Sequence, residues 1–198
     1  DIAESEQVVT DEIRGKLDGT PLAEATIVGT SVVTGRGLDE LRSALSSELA
    51  RTPPQRDIGK PRLAVDRAFS LRGVGTVVTG TLTGGPLRRG QGVVVQPRGV
   101  PSRVRTVQSY NREVEQATPG ARVALNLPDL HAGDDSHGAA SVSRGDVVTL
   151  AELGRGGDTI DVLLDISPRA QLTKPLKQAT LVRFHHGSGN APASVYIH

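Results

Sequence analysis

The sequence predicts a mainly β protein: one complete β-barrel and part of a second, preceded by the tail of an α/β unit. Three observations carry this. Short β-patterned runs recur from residue 62 to about 150, punctuated by glycine and proline turns at the spacing of a closed barrel. Aromatic residues are scarce, two Tyr and two Phe with no Trp, so the cores must be built from Val, Leu, Ala and Ile. That composition suits sheets rich in β-branched positions. The first fifty residues instead show helical periodicity around one short apolar run.

In chain order, Val8, Val9, Ile13 and Leu17 recur at helical spacing within residues 4–17, and Gly19 follows as a stop signal. Residues 25–30, ATIVGT, read as a short buried strand. After the turn Thr34-Gly35-Arg36-Gly37, the residues Leu38, Leu41, Leu45 and Leu49 mark one face of a second helix. Helix, strand, turn and helix make the end of an α/β domain rather than a whole one. Residues 51–61 carry Pro53-Pro54 and Gly59-Lys60-Pro61 and read as a flexible linker. Strands are then expected at 62–70, 75–82, 91–96, 101–109, 121–126 and 146–150. The small, polar residues 129–143 read as a mobile loop. From 151 to 198 further strands are expected near 158–165, 179–184 and 193–197, too few for a barrel. With no methionine and an opening in mid-pattern, the chain is expected to be a piece of a longer protein.

Cysteine is absent, which excludes disulfides and thiolate sites. No apolar run approaches the roughly 18 residues of a membrane span, so a soluble, cytoplasmic protein without membrane contact is expected. The net charge of +1 hides a segregation. Residues 1–50 hold ten acids against four bases, whereas residues 61–105 hold eight arginines against the single acid Asp66. Such a basic segment is an electrostatic footprint for phosphate backbones. A solvated, arginine-rich sheet surface is the alternative reading.

The most informative segment is residues 62–82, RLAVDRAFSLRGVGTVVTGTL. Two β runs meet at Arg72-Gly73-Val74-Gly75, where Gly73 and Gly75 supply the positive φ of a short hairpin connection. The string resembles the start of the second domain of translational GTPases, in which D-R-x-F precedes G-x-G-T-V-V-T-G. It is most similar to the selenocysteine-specific elongation factors. Ser31-Val32-Val33-Thr34-Gly35-Arg36-Gly37 resembles the family's last guanine-binding motif, S-A-x-T-G-x-G, with Val32 at the alanine position. There the backbone N–H after the serine donates to guanine O6, so Ser31 and Val32 are the guanine-binding candidates. Pro175-Leu176-Lys177 through His185-His186-Gly187-Ser188 resembles a third-domain strand of the same factors. Adjacent histidines on a strand point to opposite faces and are not expected to share a metal.

The resemblance implies a domain plan. Residues 1–50 match the end of a GTP-binding domain and 62–150 a second domain that holds the aminoacyl end of tRNA. Residues 151–198 match part of a third, tRNA-contacting domain. It implies a pocket made by Asp66, Arg67 and Arg122, the last from Gly120-Ala121-Arg122-Val123-Ala124-Leu125-Asn126-Leu127. A selenol ionises readily and serine does not, so two guanidiniums favour the selenocysteyl anion. Asp66 orients an arginine or meets the α-amino group. A structural Asp–Arg pair closing the barrel is the other reading of these residues. Arg88 and Arg89, in the turn Gly84-Gly85-Pro86-Leu87-Arg88-Arg89-Gly90, are candidates for tRNA phosphate. Core packing is expected of Val104, Val107 and Val114.

The parent protein, by resemblance, uses GTP and Mg²⁺ and delivers selenocysteyl-tRNA to the ribosome. It reads an mRNA element through domains outside these residues. No G-x-x-x-x-G-K-[ST] phosphate loop occurs in the 198 residues, so this chain is expected neither to hydrolyse GTP nor to hold a cofactor itself. Two alternatives stay open: tRNA- or ribosome-binding barrels of another translational GTPase, or a non-enzymatic barrel that contacts protein.

Overall fold

The computed structural model describes residues 2–133, 140–154, 156–166 and 175–197. The chain divides into two compact units, Asp1–Pro53 with Val162–Lys174, and Pro54–Asp161 with Pro175–His198.

In the first unit, helix α1 (Ile2–Leu17) and helix α2 (Leu38–Arg51) follow the leucine and valine periodicity of the sequence. Asp39 and Glu40 occupy the first turn of α2, where they complement the helix dipole, and Arg51 the last. Residues 25–30 form no strand, and Gly29 and Thr30 are exposed. A strand exists through its hydrogen-bonded neighbour, and among the described residues this segment has none. The apolar run supplies burial preference but no ladder.

The second unit is mostly antiparallel sheet. Its strands are β1 (Arg62–Leu71), β2 (Gly75–Thr83), β3 (Leu87–Arg88), β4 (Gly92–Gln96), β5 (Val100–Arg103), β6 (Thr106–Ser109), β7 (Arg112–Val114), β8 (Gln116–Ala117), β9 (Arg122–Asn126), β10 (His131–Ala132), β11 (Ser141–Val142) and β12 (Val147–Thr149). Eight of them form one sheet in the order β5-β4-β12-β1-β2-β9-β6-β7. Period-2 alternation sends Leu63 and Val65, Val78 and Leu82, Val123 and Leu125, and Val107 and Val148 into a single core, all buried. Val104 joins them fully buried and Val114 packs at their margin. Gly80 has no room for a side chain, since a Cβ there would stand 2.2 Å from the Ala64 carbonyl oxygen.

The edge strands β5 and β7 are linked through the segment after β3. The Arg89 N–H donates to Glu115 O at 2.9 Å, and the Gly90 N–H to Val104 O at 2.8 Å. A turn at Arg72–Val74, with Gly73 at φ 79° and Gly75 at φ 97°, joins β1 to β2 as the glycines require. The second half of the linker is not free: Ile58 and Lys60 both donate to Gly84 O, at 3.0 and 2.8 Å.

Several expectations are corrected. The 101–109 strand is two strands, because Val104 turns inward and its neighbour Arg105 bonds to Asn126 O instead of continuing the β4 ladder. The loop expected over 129–143 is anchored at both ends, where β10 pairs with β11 in parallel. Its His137 and residues 134–139 lie outside the described residues. No strand forms at 158–165; Ile160, Val162, Leu163 and Leu164 are exposed, with no paired neighbour among the described residues. The last strands are β13 (Thr180–His186) and β14 (Gly189–Val195), one hairpin whose second strand begins earlier than expected. Its turn is fastened to the sheet, with Ser188 Oγ donating to Val65 O at 2.5 Å and Arg144 Nε to Ser188 O at 3.2 Å.

Candidate aminoacyl site

Alternation along β1 would place Asp66 and Arg67 on opposite faces. A bulge changes that. The β1–β2 register pairs Val65 with Gly80 and Arg67 with Thr79, leaving Asp66 as the extra residue. Val65 and Gly80 are buried, whereas Arg67 is exposed. On the next strand Thr81 pairs with Arg122 and Thr79 with Ala124. Thr79 and Thr81 share the outer face of β2, so Arg67 and Arg122 lie on that face too. With a strand spacing of about 4.8 Å and a rise of about 3.3 Å, their Cα atoms are roughly 12 Å apart, within reach of two extended arginines.

Asp66 is tied to β2 and to β9 beyond it. The Arg122 guanidinium grips its carboxylate through both terminal nitrogens, Nη1 to Oδ2 and Nη2 to Oδ1, the latter at 3.2 Å. Thr79 Oγ1 donates to Asp66 Oδ1 at 2.8 Å. The hydrogen bonds from Arg122 hold the Asp66 carboxyl below its ordinary range, opposed by partial burial and helped by Thr79 and by the nearby charge of Arg67. The same pairing raises the Arg122 guanidinium. Arg67 has no ion-pair partner among the described residues. One carboxylate between two guanidiniums leaves the site with a single positive charge.

Two contributors went unassigned in the sequence. Thr79 orients Asp66, and Phe69, two residues after Arg67 on the same face of β1, is 38% exposed. The threonine alternation of β2 and the fourth position of D-R-x-F were the available signals. Next to the site, Ser109 Oγ on β6 donates to Arg122 O at 3.0 Å.

The other candidates lie elsewhere. Arg88 is exposed on β3, paired with Gln116 of β8. Arg89 lies 3.5 Å from both Glu113 and Glu115, which offset its charge. In the first unit the Ser31 turn is closed by Gly35 N–H to Ser31 O at 2.8 Å and by Ser31 N–H to Arg36 O at 3.0 Å. An Arg36–Glu6 ion pair of 2.7 Å ties it to α1. Val32 stands at the tip, 90% exposed, and among the described residues its N–H has no acceptor. His186 stacks on Phe184 with ring centroids 5.5 Å apart, a packing role within the hairpin.

The fold is similar to that of solved translation elongation factors. This chain is a homologue of the selenocysteine-specific elongation factors. It is 35% identical over 191 residues to the selenocysteine-specific elongation factor of Desulfomicrobium baculatum, covering 96% of this chain and 29% of that protein. With the Escherichia coli factor of the same name the identity is 33% over 177 residues, covering 88% and 26%. The crystal structure of translation elongation factor SelB from Methanococcus maripaludis in complex with the GTP analogue GppNHp superposes with a TM-score of 0.73 at 26% identity. That match covers 96% of this chain and 40% of the other. No protein-family profile matches the chain. The chain thus spans less than a third of the length of these curated relatives.

Proposed function

We propose that this chain is the part of a selenocysteine-specific elongation factor that receives the aminoacyl end of selenocysteyl-tRNA. The observation that carries the reading is the shared outer face of Arg67, Asp66 and Arg122, with the bulge turning Asp66 toward Arg122. A site with one net positive charge is balanced by a selenolate and left unbalanced by the neutral hydroxyl of serine. Asp66 Oδ1 and Oδ2 remain positioned to meet the α-ammonium of the ester as well as Arg122. Arg67, without a carboxylate of its own, is the guanidinium free to turn to the anion. Arg88 and Arg89 would meet tRNA phosphates, Arg89 by exchanging two long glutamate pairs for one phosphate.

In the same reading, residues 1–50 end a GTP-binding domain, 62–150 form the second domain and 151–198 contribute to the third. GTP, when bound to the whole protein with Mg²⁺, switches delivery to the ribosome. Within this chain the Val32 N–H would touch the base and Ser31 would shape the turn. The mRNA element would be read by parts of the protein outside these residues.

Binding of selenocysteyl-tRNA and seryl-tRNA to the wild type and to the Arg67→Ala and Arg122→Ala variants tests the proposal. Hydrogen bonds to charged groups contribute about 1.5–3 kcal/mol, so each variant should lose discrimination by on the order of tenfold or more. Equal weakening of both tRNAs by both variants would refute a selective site.

A further inference from the structure

The stretch His185-His186-Gly187-Ser188 takes no part in the site described above, yet its turn reaches the strand that carries Asp66. The ladder between β1 and β12 runs only from Arg62 to Ala64, paired with Thr149 to Val147. Two further backbone bonds close its end: Val65 N–H donates to Asp146 O and Gly145 N–H to Val65 O, both at 2.9 Å. The next residue, Asp66, is the extra residue of the bulge. Ser188 Oγ donates to the same Val65 O at 2.5 Å, from 123 residues away in sequence. A carbonyl oxygen has two lone pairs, and here Gly145 and Ser188 use both.

Glycines make this approach possible. A Cβ at Gly189 would stand 2.9 Å from Gly145 Cα, and one at Gly187, whose φ is 53°, would stand 3.3 Å from Ala64 Cβ. Arg144 Nε returns a bond to Ser188 O at 3.2 Å, so the turn is held from the sheet as well as holding it. The held carbonyl matters because Val65 C=O and Asp66 N–H belong to one planar peptide unit. Fixing that plane fixes how the chain enters the bulge. A bulge that moves by one residue re-aims the side chains between its old and new positions. Asp66 meets Arg122 and Thr79 only in the present register.

We infer that Ser188 is a positioning residue for the aminoacyl face: its hydroxyl, delivered by the β13–β14 hairpin, locks the Val65–Asp66 peptide plane and so keeps Asp66 against Arg122. It acts through the backbone of Val65. The inference rests on the reading of that face as the selenocysteyl site, and it adds a residue from a distant part of the chain that sets the site's selectivity.

Ser188→Ala removes the hydroxyl but leaves the Gly145 N–H on Val65 O, so the sheet should still fold; Ser188→Thr keeps a hydroxyl and serves as the rescue. Binding of selenocysteyl-tRNA and seryl-tRNA is measured for the wild type and both variants, with Arg122→Ala as the reference. One ordinary hydrogen bond changes an equilibrium constant by about two- to tenfold. Ser188→Ala should therefore lose discrimination by about that factor, through weaker selenocysteyl-tRNA binding, and Ser188→Thr should regain it. A second readout needs no RNA. The coupling between Asp66→Asn and Arg122→Ala in thermal melts at pH 7 should shrink in the Ser188→Ala background and return with Ser188→Thr. A lower melting temperature in Ser188→Ala with coupling and discrimination both intact would make Ser188 a clasp only; it would overturn the inference and leave the aminoacyl reading standing. Equal weakening of both tRNAs by Ser188→Ala would overturn it as well. Wild-type discrimination in Arg122→Ala would bring down the aminoacyl reading and this inference with it.

Discussion

Replacing Arg122 by alanine tests the Asp66–Arg122 bridge at the centre of the site. The two side chains are 53% and 29% exposed. A pair this wet lacks the penalty of about 3–5 kcal/mol that follows when a buried pair is broken. Exposed pairs contribute about 0.2–1 kcal/mol, and the two-pronged geometry puts this one near the top of that range. Asp66 would keep its Thr79 bond and regain water, so the expected loss is about 1 kcal/mol. That corresponds to a fall in Tm of roughly 2–4 °C for a chain of this size. The pH dependence gives the sharper signature. The carboxyl of Asp66 lies below its ordinary 3.8 in the folded protein. The unfolded chain therefore binds its proton first, and the pair's contribution is fully present above pH 3.8. It is lost as pH falls through the lower folded value. Thermal melts of wild type and Arg122→Ala from pH 7 downward should differ at neutrality and converge in acid. A difference that persists unchanged in strong acid, or a double-mutant cycle with Asp66→Asn showing no coupling at pH 7, would refute the reasoning.

Other outcomes follow from the same geometry. Gly80→Ala should unfold the second unit or lower its stability by several kcal/mol, since the Ala64 carbonyl cannot yield 1 Å without breaking the β1–β2 ladder, as a denaturant titration would show. Arg98→Ala should cost about 3–5 kcal/mol, because it takes the guanidinium charge, 2.7 Å away, from the Asp146 carboxylate, which is 10% exposed and would keep the Ser143 N–H. Leu125→Ala should cost about 2–5 kcal/mol as a core cavity, read by the same titration. Limited tryptic digestion should cut after Arg51 or Arg56, ahead of the segment held by Gly84; protection of both sites would contradict a loose connection there.

Much of this protein was legible in its sequence because the deciding interactions are local or repetitive. Alternation of Val and Leu fixes which faces of β1, β2 and β9 are buried, and glycines at 73 and 75 fix the turn between the first two. The helical spacing of leucines fixes α2. Asp66, Arg67 and Arg122 were recognisable from short motifs. What the sequence could not decide was pairing. Residues 25–30 and 158–165 have strand composition, yet among the described residues neither finds a neighbour, and a strand is made by the neighbour's hydrogen bonds. Whether Asp66 and Arg67 face opposite ways depends on a bulge set by register against β2. That Asp66 meets Arg122, 56 residues away, depends on β9 lying on the far side of β2. Local chemistry names the side chains; only closure of long loops through the sheet determines which of them share a field.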